Sequence, residues 1–354
     1  LAEVTAVFYG KSVVNSGKKM MTLADIAALA EVSESTASRA LRDNPVVNIE
    51  TRLKVQQIAQ QYQFNVNPTA RSLRTQKSYT IAVIILFDAK SQQAISDPFL
   101  LEILGVIADE LTHKGYDMLL STSKTKDKDW KTYYIDAKRA DGLIIIGQGE
   151  HDQRIEQLSH SKVPFVVWGA SSGHDSFTVV GSQNRSGAEA AVSHLVAQGC
   201  KHIAFLGDYR HNEIEQRYLG YQDALQKAGL VLDPAYELIT DFTAQDGYVK
   251  TQQQLFPLLP KLDGIFAASD AIALGAMKAL QEHGVQVPQQ LAIAGFDDIA
   301  MSAYCSPALT TVKQDTINGG KLLVSKLLQQ MDGEQAESEL LPVRLLTRQS
   351  SARR

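Results

Sequence analysis

Asp97, Arg217, Asp241 with Phe242, Ser269 with Asp270, and Asp297 with Asp298 all stand close behind short apolar runs of the chain. Runs of that kind read as parallel strands, and in open parallel sheets ligands sit beyond the carboxyl ends of the strands. The residue types are those of a site for a polyhydroxylated molecule. Carboxylates accept from hydroxyls, an Arg donates in a planar fork, and an aromatic face packs on apolar C–H patches. Each also has a plainer reading. Asp97 precedes Pro98 and is a natural helix cap, and Asp270 is best read as the cap of a helix Ala271–His283. Phe242 and Trp168 suit a core as well as a cleft. Arg217 has Glu213 four residues earlier on the same helix face, a surface ion-pair spacing.

A second constellation lies near the start. Thr22 to Asp43, TLADIAALAEVSESTASRALRD, reads as two short helices around a tight turn. Thr22 with Asp25 makes a capping box, and Leu23, Ile26, Ala27 and Ala30 follow at helical spacing. Glu31 and Val32 form the turn, Ser33 caps a helix Glu34–Leu41, and Ala37, Ala40 and Leu41 face inward. Glu34, Ser35, Ser38 and Arg39 face outward. In a helix-turn-helix the second helix enters the major groove with its N-terminal residues on the bases. Glu34, Ser35 and Arg39 are therefore the candidates for base edges, and Ser33, Thr36 and Ser38 for phosphates, with Thr22 at the start of the first helix. An ordinary helical hairpin with a solvated face is the alternative. A third helix, Ile49 to Tyr62 capped by Asn48, turns Leu53, Ile58, Ala59 and Tyr62 inward. Asn67 and Pro68 then start a helix of about two turns, too short to be stable alone. Between Tyr62 and Ser78 stand Arg71, Arg74 and Lys77 with no acidic residue and one apolar residue, Leu73, among them. That composition suits minor-groove insertion, and equally a solvated linker.

The elements that must position these groups follow from the rest of the chain. Its 354 residues, 44% hydrophobic, allow a small headpiece and a two-lobed body. The net charge of -4 hides a polarity: residues 1–78 hold 10 Lys/Arg against 6 Asp/Glu, and the remainder 25 against 33. A basic end on an acidic body fits a nucleic-acid contact confined to that end. Cys200 and Cys305 have no close metal-ligand companions and read as buried, reduced thiols of a cytoplasmic protein. No apolar run is long enough for a membrane span. Residues 1–19 lack a signal-peptide pattern, and translation starting at Met20 or Met21 would make them an upstream extension without a role. From Tyr79, strand runs such as Ile81–Phe87, Gly142–Ile146, Phe165–Trp168, His202–Leu206 and Gly264–Ala268 alternate with amphipathic helices. Gly115, Gly199, Gly229 and Gly284 stand at helix ends. This predicts parallel sheets flanked by helices, too many units for one sheet and hence two lobes.

The strings TLADIA, VSESTASRAL and NPTARSLR, in that order, resemble the LacI/GalR family of bacterial transcriptional repressors, and the likeness extends over about Met21 to Ser350. The resemblance implies an all-α headpiece followed by an α/β, periplasmic-binding-protein-like (type I) domain. The expected organisation is an extension 1–19, a headpiece 20–64, a hinge helix and linker 65–78, and an effector-binding and dimerisation domain 79–350. Its first lobe would take 79–182 and 309–331, and its second 183–308 and 340–348, with crossovers near Ser182, Ala308–Gln314 and Met331–Leu340. RYLGY at Arg217, DFT at Phe242, ASDAIALGAM at Ser269 and AGFDD at Asp297 match family signatures and point to effector binding. SPALTTVKQD, Ser306 to Asp315, is the most family-specific string and brings Gln314 near the cleft. Two departures concern the headpiece: Glu31 where the family has Gly or Asn, and an acidic Glu34 opening the recognition helix. In the body, Gln183 replaces an acidic residue before Asn184.

No G-x-S-x-G elbow, Walker loop or H-E-x-x-H is present, and the loop after Phe87 has no Gly for a dinucleotide, so an enzyme is the weaker reading and no catalytic residue, cofactor or metal is expected. A sugar-binding transport component would have no use for the headpiece. The expected protein is a cytoplasmic homodimer on a roughly palindromic double-stranded operator, nucleoid-associated when bound. It would repress carbohydrate-utilisation genes until a sugar or glycoside inducer closes the lobes; a corepressor-dependent regulator sensing a nucleobase is the alternative. No heptad-bearing tail follows Ser350, which favours a dimer over a tetramer. Hinge residues Asn67, Arg71, Leu73 and Arg74 would pair over the operator centre with Leu73 in the minor groove. Leu73→Ala is then expected to weaken specific binding far more than nonspecific binding. Gel-shift titrations on operator and scrambled duplexes check this, and equal losses on both would remove the wedge.

Overall fold

Thr22 and Asp25 start the first helix reciprocally: the Thr22 N–H donates to Asp25 Oδ2 at 2.8 Å, and the Asp25 N–H to Thr22 Oγ1 at 3.2 Å. The computed structural model describes residues 21–62, 64, 76–87, 91–123, 129–147, 153–171 and 173–353. The extension 1–19 and the hinge residues Asn67, Arg71, Leu73 and Arg74 lie outside them. Two compact units divide the chain, Leu1–Gln76 and Lys77–Arg354.

In the first unit, α1 (Leu23–Ala30), α2 (Glu34–Ala40) and α3 (Ile49–Gln61) enclose a small core of Ile26, Ala27, Ala30, Ala37, Ala40, Val47 and Val55. Ser33 caps α2 by accepting from the Thr36 N–H, and Asn48 caps α3. The inner face of α3 differs from the sequence expectation. Val55, Ile58 and Ala59 point inward, while Leu53 and Tyr62 are exposed. Leu53 precedes Val55 by two residues, about 200° around the helix, so the two cannot share a face. Glu31 ends α1 in the left-handed region, φ 58° and ψ 41°. A residue with a Cβ bears a steric cost there that Gly avoids. Glu31→Gly is therefore expected to stabilise this helix pair by about 1 kcal/mol. Native-state hydrogen exchange of the α1 amides measures it, and unchanged or weaker protection would show that the turn is not strained.

The second unit begins with β1 (Thr80–Ile85), α4 (Pro98–His113), β2 (Asp117–Thr122), β3 (Gly142–Ile146), α5 (Gln153–Ser159), β4 (Phe165–Trp168) and β5 (Thr178–Ser182). These strands form a wholly parallel sheet in the order Glu339–Leu341, β5, β4, β3, β1, β2. Both faces are covered, which is why its strands are near-continuous apolar runs. Ile81, Val83, Ile85, Ile144, Ile146 and Val166 face α4 on one side, and Ala82, Ile84, Leu143, Ile145 and Val167 face Trp130, Tyr134, Ile155 and Leu158 on the other.

After Ser182 the chain enters the second lobe with α6 (Asn184–Ala197), β6 (Ile203–Leu206), α7 (Asn212–Lys227), β7 (Glu237–Leu238), α8 (Ala244–Lys250), β8 (Gly264–Ala267), α9 (Asp270–Glu282), β9 (Ala292–Ala294) and α10 (Ala300–Tyr304). Its parallel sheet runs β7, β6, β8, β9. Parallel bridges Ala294 to Thr310 and Asp297 to Lys313 extend it to β10 (Thr311–Lys313). The chain then returns as α11 (Thr316–Met331), which packs on α4. It continues as β11 (Glu339–Leu341), beside β5, and crosses again to β12 (Arg344–Leu346), antiparallel to β10. The expected lobe limits are displaced accordingly. β10 belongs to the second lobe, so the crossing falls at Gln314–Asp315, and β11 belongs to the first, so the last crossing follows Leu341.

Gly220 on α7 meets α6 at a distance no side chain allows; a Cβ there would stand 2.1 Å from the Arg185 carbonyl oxygen. Cys200 is buried and its thiol is pushed up to about 11 by that burial. Cys305, expected to be buried, is only partly so.

Candidate functional site

On the headpiece, Ser33, Glu34, Ser35 and Arg39 of the α2 segment are exposed and Thr36 is half-buried. Glu34 and Arg39 form no ion pair among the described residues, whereas Arg52 is paired with Asp43 at 3.0 Å and Lys54 with Glu31 at 3.4 Å. The side chains free to meet bases are thus those at the start and outer face of α2. The Ser33 hydroxyl also serves the helix, since it contacts Ser35 Oγ at 2.9 Å and Thr36 Oγ1 at 2.8 Å. The Thr22 hydroxyl is likewise engaged by Asp25, at 2.7 Å. Ser38 departs from the expectation of an outward phosphate contact. It is buried beneath Arg42, whose Nη2 donates to Ser38 Oγ at 3.2 Å and whose Nε donates to its carbonyl at 2.9 Å. One residue from Ala37 is only 100° around the helix, so Ser38 borders the inner face rather than opposing it.

In the second unit a cavity of about 210 Å³ opens between the two sheets. Asp97, Arg217, Phe242, Ser269, Asp297 and Gln314 all line it. Arg217, on α7, is 5% exposed. Its Nε donates to Asn184 Oδ1 at 2.8 Å, and Nη1 to the Ala268 carbonyl at 2.5 Å and to Asp297 Oδ1 at 3.3 Å. Its plane lies over the Phe296 ring, 3.9 Å from the centroid. The plain reading of Arg217 as a surface partner of Glu213 is thereby replaced by a buried anchor. Gln314 Nε2 donates to the same Asp297 oxygen at 2.7 Å.

The string Gly295-Phe296-Asp297-Asp298 supplies the floor of this cluster residue by residue. A Cβ on Gly295 would stand 2.3 Å from Asp270 Oδ1, so Asp270 needs a glycine there. Phe296 carries the guanidinium, Asp297 pairs with it, and Asp298 Oδ1 receives Arg348 Nη2 at 2.6 Å. Asp297 and Asp298 have φ of 119° and 60°, a conformation L side chains rarely adopt. Such strain persists only where surrounding contacts hold it, and it clusters at functional sites.

Asp97 fills both roles open to it. It caps α4, accepting from the Phe99 and Leu100 N–H groups at 3.0 and 3.2 Å, and it faces the cavity, where burial raises its pKa. Ser269, rather than Asp270, caps α9, through the Ile272 N–H. Asp270 lies beneath, fully buried, accepting from Thr311 Oγ1 at 2.5 Å and the Ile299 N–H at 3.0 Å. Burial and the neighbouring Asp297 push its carboxyl well above the usual range. Phe242 meets His211 edge-on, centroids 5.1 Å apart. Trp168 lines the cavity and packs in the core at once, beside Phe99. Across the mouth, Asp241 accepts from Ser91 Oγ and the Gln92 N–H, each at 2.7 Å, joining a loop of the first lobe to the second.

Several lining residues were missed from sequence. Asn184 orients Arg217, and Ser182 lines the wall with an Oγ that has no partner among the described residues. Glu213 enters the cavity from the first turn of α7. Its spacing from Arg217 was the available signal. Burial raises its carboxyl from 4.5 to about 7, against the lowering effects of its own backbone N–H and of Arg217. Because the folded pKa exceeds the unfolded one, the native state binds the proton more tightly. The associated stability is full below about pH 4.5 and is lost as pH rises to about 7. Glu213→Gln should accordingly gain stability relative to the natural chain between pH 5 and pH 7.5. Urea midpoints at both values check this, and a constant difference would place the titration elsewhere.

The family described as "Bacterial regulatory proteins, lacI family" matches residues 22–67, and "Periplasmic binding protein-like domain" matches residues 192–351. The HTH-type transcriptional repressor CytR of Escherichia coli (strain K12) is 32% identical over 336 residues, 93% of this chain and 96% of that protein. The fold is similar to the lac repressor dimer bound to operator and an anti-inducer, with TM-score 0.81, 28% identity and coverage of 94% and 99% of the two chains. It is also similar to the transcriptional regulator CelR in complex with cellobiose, with TM-score 0.71, 26% identity and coverage of 93% and 99%. A helix-turn-helix with free polar groups on its second helix, a two-lobed body and 32% identity to a repressor over 93% of the chain lead to one assignment: the chain belongs to the LacI family of DNA-binding bacterial transcriptional regulators and is not an enzyme.

Proposed function

We propose that the protein is a cytoplasmic repressor of carbohydrate-utilisation genes, released from its operator by a sugar or glycoside inducer bound between the lobes. The observation that carries this reading is the cavity itself. Asp97 comes from the first lobe, Arg217, Phe242, Ser269 and Asp297 from the second, and Gln314 from the crossing between them. A ligand touching all of them favours the closed arrangement, and it can shift an equilibrium only by such differential contact. Carboxylates, an amide and an aromatic ring are the groups that sugar hydroxyls and C–H faces require. The solved complex of CelR with cellobiose supports the carbohydrate class.

The working unit in this reading is a homodimer on a roughly palindromic operator, each headpiece in a major groove and the hinge helices at the centre. A second copy of the chain suits the first lobe's free sheet edge. β2 is an outer strand, and Leu120 on it and Leu101 on α4 are exposed. An unpaired edge bearing apolar side chains calls for cover.

A thermal-shift screen against mono- and disaccharides, glycosides and purines tests the ligand class. Ligand at 100 times its Kd stabilises the native state by about 2.7 kcal/mol. Sugars are expected to raise the melting temperature of the natural chain and to lose that effect in Arg217→Ala. The melting curve of the unliganded variant shows that it folds. Hits confined to purines would replace the inducer reading by a corepressor. A sugar shift that survives Arg217→Ala would move the site out of the cleft.

A further inference from the structure

The polar groups of the cleft are unequally satisfied, and the imbalance describes the ligand more closely. Arg217 is spent on Asn184, the Ala268 carbonyl and Asp297. Arg210 is held by Asp208, with Nε on Oδ1 at 2.7 Å. Asp97 is engaged by the start of α4, and Asp297 by Arg217 and Gln314. Glu213 is different. No side chain among the described residues hydrogen-bonds to its carboxyl, which is met by its own backbone N–H and by the more distant charge of Arg217, and it faces a cavity that already holds the Asp97 and Asp297 carboxylates. Among the described residues, Arg210 and Arg217 line the cavity and both are committed elsewhere, and His211, beside Glu213 in sequence, turns its ring edge to Phe242. Ser182 Oγ, in a side chain 2% exposed, is a second lining group without a partner among the described residues.

Neutral hydroxyls would hydrogen-bond to such a site and leave its surplus negative charge in place. An ammonium group removes the surplus and forms charge-assisted hydrogen bonds, which are roughly twice as strong as neutral ones. The walls suit a cation as well, for Phe99, Trp168 and Phe242 line the same cavity and aromatic faces attract ammonium groups. Resting on the reading of the cleft as a sugar site, we infer that Glu213 determines specificity by receiving a protonated amine, so that the effector is an amino sugar rather than a neutral one. Asp97 and Asp297, from opposite lobes, repel one another across the cleft. A cation between them and Glu213 draws the lobes together, so the group that gives selectivity also favours closure.

Isothermal titration at pH 7.5 with matched probes tests this on the full chain. The pairs are D-glucosamine against D-glucose and N-acetyl-D-glucosamine, and the β-1,4-linked glucosamine disaccharide against cellobiose. The amine member of at least one pair is expected to bind roughly tenfold or more tighter than its neutral partners. Glu213→Gln should erase that preference, and Glu213→Asp, which keeps the charge, should retain most of it. Tighter binding of the neutral members, no binding by either amine, or a preference that survives Glu213→Gln would each overturn the inference. Binding of neutral sugars that is lost in Arg217→Ala would leave the sugar-cleft reading standing while removing Glu213 as its selector. Amine binding that persists in Arg217→Ala would place the probe outside the cleft and overturn both.

Discussion

The buried guanidinium of Arg217 is the constraint around which the second lobe's cleft face is arranged. A charge taken out of water at 5% exposure is tolerated only if its donors are met. The partners come from different parts of the fold: Asn184 opens α6, Ala268 follows β8, and Asp297 and Phe296 follow β9. Those strand ends and that helix start must therefore keep a fixed relation. The close approaches of α6 and α7 through Gly220, and of Gly295 to Asp270, are two of the places where absence of a side chain makes the arrangement possible. Asp270 forms a second tier, joining the β9 loop to β10 through Ile299 and Thr311.

The first lobe contributes differently. Its sheet reaches the cavity through strand ends, at Ile85, Ile146, Trp168 and Ser182, and its polar contribution is completed by the α4 start and the loop before it. Asp97 is fixed there by the helix it caps, so its position depends on local backbone geometry rather than on an ion pair. The cleft thus joins one carboxylate held by helix N–H groups to a cluster held by a buried cation. Asp241 spans the mouth through Ser91 and Gln92, so the two lobes already share hydrogen bonds beside the ligand cavity.

Much of this was legible in the chain because strand ends carry the ligand groups of parallel sheets. Asp97, Arg217, Phe242, Ser269 and Asp297 follow from that rule together with the family likeness, and Gln314 from the likeness alone. What stayed hidden depended on tertiary contact. Glu213 looks like a solvated partner of Arg217 until α6 packing turns that helix face into the cleft. Ser38 looks outward until Arg42 folds over it. β5 is hard to see in the sequence because Gly181 interrupts its apolar run. That glycine is required where the strand passes Gly169, whose carbonyl oxygen would lie 1.8 Å from a Cβ. β10, β11 and β12 are three residues each, too short to display alternation, so the lobe limits expected at 309 and 340 fall short of the crossings at Gln314–Asp315 and after Leu341.

The charged cluster is costly, and the cost says what it is for. Buried ion pairs are weak stabilisers, and apolar groups of similar volume commonly serve a core as well or better. Left-handed or otherwise rare backbone at Asp297 and Asp298 adds about 1–3 kcal/mol each. The second lobe has two apolar cores of its own. What the arrangement provides is an acceptor, Asp297, already fixed at the cavity wall. Asp297, at the wall, is held by Arg217 and Gln314 and by its own backbone N–H on the Val312 carbonyl, and Asp298, behind it, accepts from Arg348 and Ser302. A ligand meeting preorganised acceptors loses less free energy to ordering them. More of its interaction energy is then left to favour one relation of the lobes over another, and in a regulator that difference is the only quantity a small molecule can transmit.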